Sequence, residues 1–233
     1  MNNQKALGQI SYLIQLLTDR DEFVRDKVRL QLIELGEDAL PFLEIAVRRE
    51  DVALRVHAQS VINAIFPKKL GEKFRQLAQK GLGQDVDLEA GIMLIMEFGH
   101  PNSDPEDCRE NLDSLAHQLE QKLAPDADPS QVVSTLTHLL FQQEHFRGNQ
   151  KNYLDPDNSY LNKVLENKTG LPITLSVLCV LVASRLGLPI VGVGLPGHYI
   201  VKYNLPKHAI YFDPFHQGRL LSHSGCIQIV EQF

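Results

Sequence analysis

One segment constrains this chain more than any other. Thr174–Leu186 reads TLSVLCVLVASRL, apolar on nearly every face of a helix, with its polar members confined to the ends: Thr174 and Ser176 at the start, Ser184 and Arg185 at the finish. A helix without a polar stripe has no side to offer to water and has to be enclosed by other elements. It falls short of the roughly 20 residues that span a bilayer, so the enclosing material is protein. Gly170-Leu171-Pro172 opens the segment and Gly187 closes it; proline in the first turn and glycine just past the last are the expected helix-start and helix-stop chemistry. A chain of 233 residues has enough length to bury such a helix.

Three β-like runs follow, at 189–194, 199–203 and 209–213, and Asn204-Leu205-Pro206-Lys207-His208 between the last two predicts a hairpin. His198 stands directly before the second run, after Pro196-Gly197, and Asp213 ends the third, before Pro214. On adjacent antiparallel strands these two residues face each other at one end of the sheet, the geometry of a histidine oriented by a carboxylate.

The segments ahead of the buried helix read as helical. Leu88, Ile92, Ile95 and Met96 form one stripe; Leu112, Leu115 and Leu119 a second; Val132, Val133, Leu136, Leu139, Leu140 and Phe141 a third, with Asp104-Pro105 and Asp128-Pro129-Ser130 as start signals for the latter two. From Phe146 to Tyr160 the chain turns to Gly, Asn, Asp and Pro and predicts a loop pinned by Phe146, Tyr153 and Tyr160. Residues 1–80 repeat themselves at an offset of 30: Leu17, Asp21, Val24-Arg25, Val28 and Leu32 correspond to Val47, Asp51, Leu54-Arg55, Ala58 and Ile62. The steps of three and four are helical, each Asp is placed to cap the helix that follows it, and the pattern resembles the HEAT-type helical repeat, whose usual period is longer.

The charge divides with the repeat. Residues 1–80 carry 13 basic and 11 acidic side chains, and residues 81–233 carry 10 and 18. With Gly in Lys80-Gly81-Leu82-Gly83, this places the expected boundary between a helical unit, 1–80, and a second unit, 81–233, that has a helical lead-in at 86–146 and a core at 147–225. A net charge of −6 argues against a nucleic-acid partner. The start, MNNQKALGQI, lacks signal-peptide features, and no run is long enough for a membrane. The three cysteines, Cys108, Cys179 and Cys226, are odd in number and irregular in spacing; they argue against a disulfide framework or a zinc knuckle and predict a reduced, cytoplasmic setting.

Four stretches of text go further: Tyr153-Leu-Asp-Pro-Asp-Asn-Ser-Tyr-Leu-Asn162, Gly170-Leu-Pro-Ile-Thr-Leu-Ser176, Pro196-Gly-His-Tyr-Ile200 and Phe212-Asp-Pro-Phe-x-x-Gly218. Together with the order of buried helix, His and Asp they resemble the transglutaminase-like superfamily, a papain-like fold, and within it the bacterial SirB-type branch. The resemblance is strong over about residues 145–225. It implies an α+β fold with a buried central helix and an antiparallel sheet, and a Cys-His-Asp site whose thiolate is generated at the N-terminus of that helix. His198 and Asp213 match two of the three catalytic positions. Counted back from Gly187-Leu-Pro189, the cysteine position falls on Pro172, which has no nucleophile.

Of the substitutes, Cys179 lies seven residues, two turns, further along and about 10 Å deeper in apolar surroundings, and Thr174 is more naturally a cap than a nucleophile. The first expectation is therefore a non-catalytic protein- or peptide-binding or regulatory module, with Asn158, Ser159, Tyr160, Thr174 and His198 bordering a groove beside the helix. The alternatives are an acyl-transfer or peptidase-like hydrolase that works through His198 and Asp213, with water or Thr174 as nucleophile, and a scaffold built on the helical repeats. No cofactor is expected. His208, His216 and His223 read as surface residues; with His198 and Asp213 they offer the residue types of a metal site, but no HExxH or comparable spacing supports one.

Overall fold

The computed structural model describes residues 2–79, 87–101, 103–205 and 209–231, with the side chains of residues 2–8 excepted. The described chain forms two compact units, Met1–Val86 and Asp87–Phe233. The expected boundary at Lys80–Gly83 and the centre of the expected 204–208 loop, with His208, lie outside the described residues.

The first unit is helical: α1 (Asn2–Leu16), α2 (Glu22–Leu35), α3 (Leu40–Val47) and α4 (Val52–Gln79). The two repeated aspartates do the same work. Asp21 accepts from the Phe23 N–H at 2.9 Å and Asp51 from the Leu54 N–H at 3.1 Å, each satisfying a donor that a helix start leaves unpaired. The residues at repeat steps behind them, Val28 and Leu32 on α2 and Leu54 and Ala58 on α4, are buried in one cluster with Leu13, Leu17 and Leu43. On the opposite faces Tyr12, Phe23, Leu30, Val52 and Val56 are exposed.

The second unit mixes helix and sheet. Its helices are α5 (Leu88–Gly99), α6 (Pro105–Lys122), α7 (Pro129–Thr137), which runs into a π-helical turn His138–Gln143, α8 (Leu161–Asn167), α9 (Pro172–Arg185) and α10 (His223–Glu231). Asp87, Asp104 and Asp128 cap α5, α6 and α7 through their side chains, and proline follows at the first helical position of the last two. On α5 the buried residues are Met93 and Met96, whereas Leu88 and Ile95 are exposed. The expected stripe is therefore rotated: the helix needs only a narrow seam, and two flexible Met side chains fill it. On α6 and α7 the expected residues are buried.

The buried helix is α9. Leu175, Leu178, Cys179, Val182 and Ala183 are fully enclosed, packed against α6 on one side and the sheet on the other. That sheet is an antiparallel meander of β3 (Ile190–Leu195), β4 (His198–Tyr203), β5 (Ile210–Asp213) and β6 (Arg219–Leu221). The fourth strand, RLL, was not apparent from the sequence because three residues are too few for alternation to stand out. Nor was the short parallel pair of β1 (Arg147–Gly148) with β2 (Thr169–Gly170), which ties the start of the 146–160 segment to the residues just before α9. Phe146 is fully buried and anchors that segment, whereas Tyr153 is exposed. Gly187 takes the left-handed conformation, φ +65°, that reverses the chain after α9. Among the described residues no helix is long and apolar enough to cross a membrane.

Candidate functional site

The register of β4 and β5 brings the His and the Asp together. Val201 pairs with Phe212, so His198 at the head of β4 and Asp213 at the foot of β5 meet at the same end of the sheet. His198 Nε2 lies 2.9 Å from Asp213 Oδ2. The carboxylate has no solvent exposure and His198 retains only 12%.

Asp213 also has a second imidazole partner. The chain leaves β5 through a 3-10 turn, Pro214–His216, and brings the His216 ring back onto the same carboxylate oxygen, with Nδ1 2.7 Å from Oδ2. The other oxygen, Oδ1, accepts the backbone N–H of Phe215 at 3.1 Å and of His216 at 3.3 Å. An ionised carboxylate only accepts, so both imidazoles donate to it. Burial pushes the Asp213 carboxyl up, but the hydrogen bonds from His198 and His216 outweigh it and hold the group below its ordinary value. Phe215 packs edge-on to both rings, with centroids 6.3 Å from His198 and 5.3 Å from His216, which are themselves 5.8 Å apart. Gly148 makes room for it: a Cβ there would stand 2.5 Å from the Phe215 ring and 2.6 Å from its carbonyl oxygen. His216 is exposed at the surface, as expected from its place beside a glycine turn, and its Nδ1 nevertheless reaches the buried Asp213 carboxylate.

The helix end facing this cluster carries no nucleophile. Pro172 is buried at the first position of α9. Ser176, one turn on and so on the same face, donates to the Tyr199 carbonyl at 3.4 Å and is fully buried. Thr174 donates to the Asn158 carbonyl at 2.7 Å and accepts the Leu171 N–H at 2.9 Å, so its hydroxyl caps the helix start. None of the three thiols is at the site or activated. Cys179 is wholly buried in α9 and burial pushes it far up. Cys108, on α6, is pushed up to about 11, mainly by burial and further by Asp107. Cys226, on α10, is raised by burial.

The residues expected to border a groove fall in two groups. Asn158 is buried and spent internally: its Nδ2 donates to the Asn152 carbonyl at 2.8 Å, and its Oδ1 accepts from Asn149 at 2.9 Å. It staples the 149–158 loop, and the Thr174 hydroxyl is likewise held in hydrogen bonds within the chain. Ser159 is half-buried, and Tyr160 packs edge-on against His100 at 4.9 Å. The recess beside the His–Asp–His cluster is built from other residues. It is an open pocket of about 550 Å³ bordered by Arg147, Asn149, Gln150, Lys151, His216 and Gln217, among others. Among the described residues neither Arg147 nor Lys151 has an acidic partner, so the pocket has a cationic rim in a unit that is acidic as a whole.

A profile described as the transglutaminase-like superfamily matches residues 106–233, more than half of the chain. A UPF0162 protein of Xylella fastidiosa is 43% identical over 89 residues, which are 38% of this chain and 32% of that protein. F-box only protein 21 of Mus musculus is 32% identical over 111 residues, 44% of this chain and 18% of that protein. A UPF0162 protein of Vibrio cholerae is 25% identical over 138 residues, 59% of this chain and 51% of that protein. The chain therefore spans between about a fifth and a half of the length of these curated relatives. No solved structure gives a significant match. The profile match and the helix, His and Asp that it contains establish that the chain belongs to the transglutaminase-like superfamily.

Proposed function

We propose that the chain is a non-catalytic member of this superfamily, a module that binds a protein or peptide segment beside its central helix and serves a regulatory role. The observation that carries this reading is Pro172 at the helix N-terminus, where the reaction of the fold needs a thiolate. Every other described hydroxyl or thiol on α9 is buried, occupied in a hydrogen bond or distant from His198. The pocket beside the cluster, with Arg147 and Lys151 on its rim and the amides of Asn149, Gln150 and Gln217, suits a polar peptide. Steady-state assays with amine donors, peptides and isopeptides test it. The expected result is no turnover above background, and any turnover that His198→Ala abolishes sinks the reading.

A second reading has its own support. His198 and Asp213 are 2.9 Å apart, the arrangement of a general base and its orienting carboxylate, and a hydrolase could use them with water as nucleophile. The same assays separate the two.

The motifs at 153–162, 170–176, 196–200 and 212–218 support assignment to the SirB-type branch. The paired helices of residues 1–80, with their matching aspartate caps, support a HEAT-like unit as a second face for protein partners. The acidic net charge speaks for a protein rather than a nucleic-acid partner. The odd count of cysteines speaks for a reduced, cytoplasmic setting.

A further inference from the structure

We propose that His198, Asp213 and His216 form a binding site for a divalent transition metal of the zinc type, with an open coordination position facing the adjacent pocket. The proposal goes beyond peptide binding and does not depend on it.

The three residues each offer one ligand atom, and these atoms all lie within 4.8 Å of one another. Two imidazole nitrogens and one carboxylate oxygen suit zinc, cobalt, nickel or ferrous iron. They are too nitrogen-rich for magnesium or calcium and lack the sulfur that selects cuprous copper. The carboxylate is already aimed. Its Oδ1 is held by the backbone N–H groups of Phe215 and His216, which leaves Oδ2 pointing at both imidazoles. Outer hydrogen bonds of this kind fix metal-ligating carboxylates. The edge-on contacts of Phe215 hold both rings from the apolar side.

The electrostatics point the same way. Asp213 is fully buried, and its ion-pair partners among the described residues are the two imidazoles alone, with no Lys or Arg. A buried anion is costly unless it is paired, and a dication pairs it more strongly than two neutral rings do. Access is also provided. His216 keeps 41% of its side chain exposed and borders the pocket of about 550 Å³. Three protein ligands plus an exchangeable water is the pattern of an open zinc site, whereas closed structural sites use four protein ligands.

Two adjustments accompany binding. Zinc bonds of about 2.0–2.2 Å place tetrahedral ligand atoms about 3.3 Å apart, so the imidazole nitrogens draw together by up to about 1.5 Å while their separations from Oδ2, now 2.9 and 2.7 Å, widen to the same value. The half-exposed His216 on its three-residue turn can supply that movement. The rings also change tautomer: the proton that each donates to Asp213 moves to the other ring nitrogen, His198 Nδ1 and His216 Nε2, with no net release from a neutral ring.

The experiment uses the full chain, stripped with a chelator and titrated with zinc chloride by calorimetry, with cobalt(II) as a spectroscopic probe. The expected result is one equivalent bound per chain and a visible cobalt band of low-coordinate character. His198→Ala and His216→Ala are each expected to weaken zinc binding by at least about 30-fold, and His117→Ala, on an exposed face of α6, to leave it unchanged. Because Asp213 is buried and its replacement could unfold the chain, the decision rests on His216→Ala, a change at a half-exposed position whose folding is verified by circular dichroism. Binding well below one equivalent, or binding that His216→Ala retains, overturns the proposal. Turnover lost in His198→Ala without metal would instead overturn the non-catalytic reading, so the two failures are distinguishable.

Discussion

Placing a thiol at residue 172, the proposed nucleophile position, tests how the site is built. In a Pro172→Cys variant, carried in a Cys226→Ser background to remove the most accessible native thiol, the new sulfur sits at the first position of α9. That position lies on the helix face that Ser176 turns toward Tyr199, next to His198 in β4. An ordinary cysteine has a pKa near 8.5 and is about 3% thiolate at pH 7. A helix N-terminus favours an anion by about 0.3–1 kcal/mol, and by up to about 2 kcal/mol when partly buried. At 1.36 kcal/mol per pKa unit, the favourable end of that range alone lowers the thiol to about 7. The thiolate fraction at neutral pH then rises to about one half, roughly a 15-fold gain, and pairing with a His198 oriented by Asp213 adds to it. Removing proline releases unfolded-chain entropy and is expected to cost about 0.4–1 kcal/mol of stability, small enough to leave the fold intact. The assay is the pH dependence of iodoacetamide alkylation, followed by intact mass. The result expected is a midpoint at or below about 7, moved back toward 8.5 by His198→Ala. A midpoint that stays near 8.5, or one that ignores His198→Ala, refutes the assignment of residue 172 to the nucleophile position.

Other outcomes follow from the same contacts. Asp213→Asn is expected to destabilise the second unit by about 2–3 kcal/mol, because hydrogen bonds to an ionised group are lost. The native carboxyl titrates below its ordinary value, so its contribution is complete above about pH 4 and is lost as the pH falls further. Urea midpoints measured from pH 7 to pH 2.5 should show that acid loss in the native chain and not in the variant. Gly218→Ala should cost about 2–4 kcal/mol by urea melting, since Gly218 has φ +74° and a Cβ would stand 2.7 Å from Thr137 and 2.8 Å from Phe141. A thiol reagent added to native protein should label Cys226 first, with Cys108 and Cys179 reacting only on unfolding; fast labelling of Cys179 would contradict its burial. Asp21→Ala and Asp51→Ala should each cost about 1 kcal/mol, read by thermal melting of the full chain, and a cost at one position alone would undo the equivalence of the two repeats.

What the sequence showed and what it hid divide along a physical line. The buried helix, its glycine stop, the aspartate-proline helix starts and the two strands that carry His198 and Asp213 were legible because each is dictated by neighbours within a few residues. Periodicity, capping and turn chemistry are local. Ring placement at His216 is not local. Two of its supports are distant: Gly148, four strands and two α-helices away in sequence, leaves room for Phe215, and Gly218 packs against Thr137 and Phe141, about eighty residues earlier; the adjacent left-handed Gln217, φ 58°, turns the chain back between them. Asn158 and Thr174 show the converse. Polar residues near a presumed groove look like ligands until their partners are known, and theirs are backbone groups of a loop that must be fastened before α9 can start. The same accounting explains why Asp213 is the centre of the site. An ionised carboxylate has about four acceptor positions, and here two backbone N–H groups and two imidazoles fill them. The backbone pair fixes the carboxylate whatever occupies the pocket, and the imidazole pair is what a ligand, a proton or a metal ion can alter. This second half of the site stays adjustable, which is the property that the proposed binding or metal-dependent role requires.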